Sequence, residues 1–309
     1  MCQPWPVHEG SRKAIIAAFV ANLGIAVSKF VAFAFTGSAG LLAEAVHSVA
    51  DTGNQGLLFL GGRRADREAT PQHPFGFARE RYFWAFVVSV VLFTLGGAFA
   101  IYEGVDKLRY PHTPESLGWA IGVLAFAVAL ESFSFRTARR AAEPQRSGRS
   151  WSQFIRRSKS PELPVVLLED FGALVGLVFA LVGVVLAKIT DNARYDAAGS
   201  LAIGVLLCGI AIVLAVEMKS LLIGEAAEPE IDAAIRESLA AHASVRRIIH
   251  LRTQHLGPDE LLVAAKLEFD PALSSVDLSD TIDEVELLVR ARVPSAKLLF
   301  IEPDYFRPR

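Results

Sequence analysis

The stretch EAVHSVADTGN, residues 44–54, decides how this chain folds and what it can bind. It lies in a long apolar segment and places an imidazole and a carboxylate, His47 and Asp51, four residues apart. Four residues is about one helical turn, so both side chains leave the same face of a helix. Glu44 and Asn54 lie one turn to either side, which makes a polar stripe along an otherwise apolar helix.

Ionisable side chains in such a segment are costly unless they face a cavity, an ion or a partner. A second apolar segment, residues 164–187, carries adjacent acids at Glu169 and Asp170. Two helices of this kind can enclose a small acidic site with one imidazole. Because these donors suit divalent transition metals, the sequence predicts a metal site between two membrane-length helices.

The bulk composition narrows the class of protein. Of 309 residues, 52% are hydrophobic and the mean hydropathy is +0.37, which favours a polytopic membrane protein over a soluble domain. The net charge of −2 argues against a nucleic-acid partner. With cysteines only at Cys2 and Cys208, a thiolate zinc site is excluded and no disulfide framework is expected. The remaining donors suit Zn²⁺, Mn²⁺, Co²⁺ or Fe²⁺ and do not suit Cu⁺.

Six apolar stretches are long enough, or nearly so, to cross a bilayer about 30 Å thick as helices. They cover residues 15–35, 40–62, 82–105, 117–135, 164–187 and 197–223. The expected fold class is therefore an all-α polytopic membrane domain of six transmembrane helices, residues 14–224, after a cytoplasmic segment, residues 1–13. Glu131, near the end of the fourth stretch, is interpreted as an interfacial or helix-pairing residue.

Loop charges predict the orientation of these helices in the bilayer. One set of loops carries fifteen basic residues: Arg12, Lys13, Arg63, Arg64, Arg67, Arg79, Arg81, Arg136, Arg139, Arg140, Arg146, Arg149, Arg156, Arg157 and Lys159. The opposite set carries four: Lys107, Arg109, Lys188 and Arg194. The positive-inside rule then places both termini in the cytoplasm. We expect a multi-pass protein of a bacterial inner or plasma membrane.

The segment between the fourth and fifth stretches, residues 139–162, is rich in Arg and Ser and contains prolines. It is predicted to be a mobile cytoplasmic loop. Its basic run is interpreted as topology charge, with contact to anionic lipid head groups as the alternative.

From about residue 225 the hydropathy falls, and a small soluble domain is predicted over residues 225–303, with a tail at 304–309. Helices are predicted at 230–242 and 278–292, and strands at 245–255, 261–269 and 297–301. The order α-β-β-α-β predicts a two-layer α+β domain, with helices on one face of a three-stranded sheet. At about 80 residues, such a domain would gain stability from dimerisation, so we expect a homodimer through it.

Several short motifs, in this order and spacing, resemble those of the cation diffusion facilitator family. Besides His47-x-x-x-Asp51, they are Thr36-Gly37-Ser38, His73-Pro74-Phe75-Gly76, Tyr102-Glu103-Gly104 and Leu221-Leu222-Ile223-Gly224-Glu225. The resemblance covers nearly the whole chain. The phrase LLED, residues 167–170, and the run HSVADTGNQG, residues 47–56, resemble the divergent branch that contains the mitochondrial zinc transporter of animals.

The resemblance implies a transport site built by two pairs of ligands, one on the second span and one on the fifth. The first pair corresponds to His47 and Asp51. In the second pair Asp170 fits the aspartate, but Val166 stands where the family has a histidine, and Glu169 directly precedes the aspartate. The site is then expected to use three protein ligands and water, or to recruit Glu169 or the side-chain amide of Asn54. Either variant would shift selectivity toward metals that accept more oxygen.

The further candidate ligands are Glu44, Asn54, His73 and His250. Glu44 is interpreted as lining a water-filled access path. His73 begins a second family motif, but the next histidine of that motif is Phe77 here, so no second metal site is expected there. His250 and His255 lie an odd number of residues apart on one predicted strand, so they face opposite sides unless a bulge intervenes.

The expected function is that of a homodimeric metal/proton antiporter, not an enzyme, which exports divalent metal from the cytoplasm, Zn²⁺ first and Mn²⁺ next. Metal binding needs a neutral imidazole and ionised carboxylates, so protonation of His47 would expel the ion. No permanently bound cofactor is expected, and the sequence has no phosphate loop of the Gly-x-x-x-x-Gly-Lys type. Two alternatives stay open: a non-transporting scaffold or metal sensor, and an intramembrane aspartyl protease with Asp51 and Asp170 as its dyad.

Overall fold

A computed structural model describes residues 7–36, 39–110 and 117–307. Within these ranges, the side chains of residues 7–12, 35–36, 39–44, 46–47 and 117–121 lie outside the description. The chain divides into two compact units. The first comprises Met1–Asp66 and Glu80–Lys219, and the second comprises Arg67–Arg79 and Ser220–Arg309.

The first unit is helical. Its elements are α1 (Val7–Thr36), α2 (Ala39–Ala65), α3 (Glu80–Val91), a π-helical segment (Leu92–Ala98), α4 (Phe99–Arg109), α5 (Leu117–Arg146), α6 (Trp151–Arg157), α7 (Glu162–Thr190) and α8 (Arg194–Ile223). The π-helical segment joins α3 to α4 in one helix of 30 residues. A π-helical turn is wider than an α-helical one and is frequent at functional sites.

Among the described residues, four helical stretches are long and apolar enough to cross a membrane. They are Lys13–Ala34, Glu80–Arg109, Glu162–Thr190 and Arg194–Ile223. The prediction of a helical transmembrane domain is confirmed by these four helices. Polar residues lower the hydropathy of the other two long helices, α2 and α5: the first carries the stripe around Asp51, and the second carries a run of arginines.

The start and end of α7 show how local sequence sets a helix. An acid, Glu162, lies in its first turn and a base, Lys188, in its last, where each side chain complements the helix dipole. The helix ends at Asp191, whose φ of 50° is the left-handed conformation typical of helix C-termini. Between these ends the sequence is apolar apart from the acids of the candidate site.

Glycines bring α7 and α8 into close contact. A Cβ atom added at Gly199 would lie 2.9 Å from the carbonyl oxygen of Phe179, and one added at Gly183 would lie 3.0 Å from that of Tyr195. Both neighbours are backbone atoms, so neither can move away without shifting a helix. Small residues at helix contacts are typical of membrane bundles.

The segment after α5 is not a loop. The helix continues to Arg146, and α6 follows after four residues, so the predicted loop over residues 139–162 is wrong for most of its length. Ser150 and Gln153 form a capping box at the start of α6, which satisfies two backbone N–H groups there. Phe154 on the next turn is buried, so α6 is packed against the helical unit.

Cation–π stacking around Trp151 also holds the segment after α5 in a folded conformation. The guanidinium carbon of Arg139 lies 5.7 Å from the indole ring centroid, and that of Arg146 lies 5.1 Å from it. Arg146 also donates a hydrogen bond to the carbonyl oxygen of Arg149 at 2.7 Å. Two of the basic residues that suggested a mobile loop therefore fold the segment back onto α5.

The second unit contains α9 (Pro229–Ala240), β1 (Val245–Gly257), β2 (Glu260–Phe269), α10 (Ser275–Arg292) and β3 (Leu298–Pro303). The sheet order is β1-β2-β3, with β1 and β2 antiparallel and β2 and β3 parallel. Alternate β2 residues pack against apolar residues of both helices. This core includes Ile235, Leu239, Leu261, Val263, Ala265, Leu267, Val285 and Val289. The predicted small α+β domain with a three-stranded sheet is confirmed.

We expect the Gly199→Ala variant to lower the melting temperature of the detergent-purified protein, because the new methyl group meets backbone and overpacking costs about 1–3 kcal/mol. Gly209→Ala is the matched control on the same helix, since a Cβ there meets nothing within 4 Å. The measurement is thermal unfolding followed by circular dichroism. Equal melting temperatures for the two variants would contradict the close packing of α7 on α8.

Candidate metal site

The acid-bearing helices α2 and α7 meet through a carboxylate held by two amides. Asn54 Nδ2 donates to Glu169 Oε1 at 3.0 Å, and Gln55 Nε2 donates to Glu169 Oε2 at 2.5 Å. All three side chains are buried. Hydrogen bonds to a carboxylate in such surroundings are strong, so these contacts fix the rotation of α2 against α7.

The second acid of α7, Asp170, is joined to a third helix. Ser134 Oγ, on α5, donates to Asp170 Oδ2 at 2.7 Å. The Asp170 side chain is only 1% exposed. The adjacent acids of α7 therefore point to different neighbours, Glu169 toward α2 and Asp170 toward α5.

A cavity of about 270 Å³ lies where these helices face one another. Its wall includes Asp51, Glu131, Glu169 and Asp170, together with Lys29. The π-helical segment also contributes to the wall. Carboxylates in apolar surroundings are costly unless a cation or a proton neutralises them, so this wall favours a positively charged occupant.

Lys29 enters the cavity from α1, and its Nζ atom donates to Ser48 Oγ at 3.0 Å. It interacts electrostatically with the carboxylate of Glu131, which also interacts electrostatically with Asp51 and Asp170. Around the acids, the cavity thus collects charged side chains from α1, α2, α5 and α7.

The structure places the predicted site residues as follows. Asp51 and both acids of α7 line the cavity, whereas Asn54 binds Glu169 through its amide nitrogen. His47 and Glu44 belong to α2, but their side chains lie outside the described residues. Val166 is fully buried in the first part of α7.

No three His, Cys, Asp or Glu residues come together closely enough to hold one ion among the side chains that the structure describes. The described set does not include the imidazole of His47. Ligation therefore stays a prediction for Asp51, Glu169 and Asp170.

The remaining candidates lie in the second unit. His73 is exposed, its backbone N–H donates to Thr70 Oγ1 at 3.2 Å, and its ring lies 4.6 Å from that of Phe77. These contacts hold His73 in a short turn with Thr70. His250 is exposed and accepts a hydrogen bond from Arg252 Nε at 3.2 Å, whereas His255 is buried, so the two imidazoles face opposite sides of β1.

Sequence reasoning missed three polar side chains of this region: Gln55, Ser134 and Glu131. A signal for Glu131 was present, because an acid inside a membrane-length helix faces the interior for the same reason as Asp51. The predicted span ends at residue 135, close to Glu131, but α5 continues for fifteen residues beyond Glu131, to Arg146. The partners of Gln55 and Ser134 depend on helix rotation and carry no sequence signal.

Comparison with known families assigns both units of the chain. Residues 15–223 match the cation efflux transmembrane domain, and residues 227–304 match the cytoplasmic domain of cation efflux proteins. The chain therefore belongs to the cation efflux family, the cation diffusion facilitators, as its motifs predicted.

Relatives in that family include a mitochondrial zinc antiporter and a metal tolerance protein. The chain is 34% identical to the mitochondrial proton-coupled zinc antiporter SLC30A9 of Mus musculus over 266 residues, 85% of this chain and 47% of the relative. It is 29% identical to metal tolerance protein C4 of Arabidopsis thaliana over 262 residues, 84% of this chain and 57% of the relative. The chain thus spans about half the length of these curated relatives.

A bacterial relative matches along nearly its whole length. The magnetosome protein MamB of Magnetospirillum gryphiswaldense is 23% identical over 301 residues, 93% of this chain and 92% of that protein. The predicted resemblance to the branch with the mitochondrial zinc transporter is confirmed by the higher identity to SLC30A9.

We expect the Gln55→Leu variant to be less stable by about 1–3 kcal/mol, because it leaves a buried oxygen of Glu169 without its donor. Chemical denaturation of the metal-free protein in detergent measures the change. Gln145→Leu on α5, a partly exposed position, is the control and should change little. A Gln55→Leu variant as stable as wild type would show that the two amides do not hold α2 against α7.

Proposed function

We propose that this chain carries divalent transition-metal ions across a membrane in exchange for protons, with Zn²⁺ as the preferred ion. The observation that carries the proposal is the cavity inside the helical membrane unit, where Asp51 from α2 and Asp170 from α7 face one space. Membership of the cation efflux family supports metal transport, and the proton-coupled zinc antiport of the mitochondrial relative supports the choice of ion and counter-ion.

In this proposal the ion binds His47, Asp51 and Asp170. His47 stands one helical turn before Asp51 in the sequence, the spacing of the predicted ligand pair. Glu169 supports the site from the side while it accepts hydrogen bonds from two amides, and it joins the ligands when one of these bonds opens. An imidazole with oxygen donors suits Zn²⁺ and admits Mn²⁺, Co²⁺ and Fe²⁺.

Proton coupling follows from the cost of buried charge. A group of carboxylates inside an apolar bundle needs a compensating positive charge in every state of the transport cycle. A divalent ion supplies that charge in the loaded state. When the ion leaves, protons on the same groups supply the positive charge. Metal ions that cross the membrane in one direction are therefore exchanged for protons that cross in the other.

We propose that six helices span the bilayer, with α2 and α5 added to the four apolar ones. At about 1.5 Å per residue, the 27 residues of α2 extend about 40 Å, more than the thickness of the hydrocarbon core. Loop charges then put both termini in the cytoplasm of a bacterial inner or plasma membrane. The second unit is the cytoplasmic part and joins two copies in a homodimer, as expected for a domain of its size.

The shape of the first unit fits one state of an alternating-access cycle. The cavity extends from the acids toward Lys107 on α4 and Asp196 on α8, which form an ion pair at 3.2 Å. At the opposite end of the bundle, residues 161–167 are all buried, and Arg81 Nη1 lies 3.4 Å from Glu162 Oε1. In the proposed orientation the cytoplasmic end is closed, and rocking of the bundle would open it.

The test is Zn²⁺ movement in proteoliposomes under an imposed pH gradient, followed with a zinc-sensitive dye. We expect the wild type to transport Zn²⁺ only with the gradient, and Asp51→Ala to abolish transport because the variant lacks a ligand. Asp106→Ala, an exposed acid on α4, is the matched control and should transport like the wild type.

Two results would contradict this proposal. Transport by Asp51→Ala at the wild-type rate would remove the cavity acids from the mechanism. A wild type that moves no metal would favour a non-transporting member of the family, acting as a scaffold or a metal sensor.

A further inference from the structure

We propose that Glu131, on α5, binds the transported ion together with Asp170 and so supplies the donor that the chain lacks at Val166. The inference rests on the proposed function and adds a third helix to the metal site. The two pairs of ligands that the sequence suggests lie on α2 and α7, and Glu131 belongs to neither helix.

The position of Glu131 in the fold is the first argument. It lies halfway along α5, its side chain is only 6% exposed, and it lines the same cavity as Asp51 and Asp170. Ser134, about one turn further along α5, donates its hydroxyl group to Asp170. Residues three apart share a helix face, so Glu131 and Ser134 both face α7.

The second argument is the charge around its carboxylate. Its electrostatic neighbours are two acids, Asp170 and Asp51, and one base, Lys29. Three carboxylates and one ammonium leave an excess of negative charge in a poorly solvated space. Protons or a further cation offset such an excess, and a divalent ion matches it better than a monovalent one.

The third argument is hydrogen bonding. The Oε2 atom of Glu131 is buried and has no hydrogen-bond partner among the described residues. Burying a carboxylate oxygen without a hydrogen-bond donor typically costs a protein about 1–3 kcal/mol of stability. Such an oxygen therefore marks a place where another group can bind. In our proposal the carboxyl group turns this oxygen to a metal ion in the cavity.

A structural role is the competing explanation. In that case Glu131 and Lys29 would lock α5 to α1 as a buried ion pair. The Lys29 ammonium donates to Ser48 on α2 at 3.0 Å, so its position is set at least in part by a helix other than α5. The two explanations differ in what happens when the carboxylate is replaced by another metal ligand.

The test is Zn²⁺ and Mn²⁺ binding to the purified full chain in detergent, measured by isothermal titration calorimetry. We expect Glu131→Gln to weaken Zn²⁺ binding by about tenfold or more. Loss of a residue that only holds a metal ligand in place has an effect of about this size, and the loss of a ligand should cost at least as much. Glu131→His should recover most of the Zn²⁺ affinity but not that for Mn²⁺, because imidazole suits zinc better. Glu143→Gln, on an exposed turn of the same helix, is the control and should bind like the wild type.

Asp170→Asn separates the failure of this inference from failure of the proposed function. If Asp170→Asn loses Zn²⁺ binding while Glu131→Gln keeps it, the transport site stands without Glu131 and the inference is wrong. If Glu131→Gln and Glu131→His bind Zn²⁺ equally weakly and both melt at lower temperature than the wild type, Glu131 is a structural residue. A wild type that binds no Zn²⁺ would count against the proposed function itself.

Discussion

Carboxylates from three helices face a cavity inside an apolar bundle, and the cost of keeping their charge there constrains the rest of the structure. Asp51, Glu131 and Asp170 line one cavity. The carboxylate of Glu131 interacts electrostatically with the basic side chain of Lys29. In lipid such a group must be matched by positive charge or by protons. Hydrogen bonds from amide and hydroxyl groups, such as Ser134 to Asp170, hold the acids in place but do not neutralise them.

The helices around the cavity combine rigid contacts with one irregular segment. Glycines let the backbones of α7 and α8 approach closely, and two amides bind Glu169 across the contact of α2 with α7. The π-helical segment interrupts the regular hydrogen bonding of the helix that runs from α3 to α4, directly beside the cavity. A bundle with firm helix pairs and one irregular helix fits the rigid-body motion typical of secondary transporters.

Much of the fold could be predicted because periodic patterns carry it: long apolar stretches for the helices, and alternation for the sheet of the second unit. The cavity position of Asp51 and Asp170 agrees with the rule that polar residues in such helices face the interior, while metal binding by them stays a prediction. The capping box at Ser150 is a recognisable signal that the basic composition around it concealed. The amide bonds to Glu169 could not be predicted, because they depend on how two distant helices rotate.

The central claim is that a divalent ion occupies the space between α2, α5 and α7. Diffraction from crystals of the full chain grown with Zn²⁺, with data at the zinc absorption edge, tests it most directly. We predict an anomalous peak about 2.0–2.2 Å from carboxylate oxygens of both Asp51 and Asp170, the usual distance for zinc bound to carboxylate. A zinc peak confined to the second unit, or no peak in the cavity at saturating Zn²⁺, would contradict it.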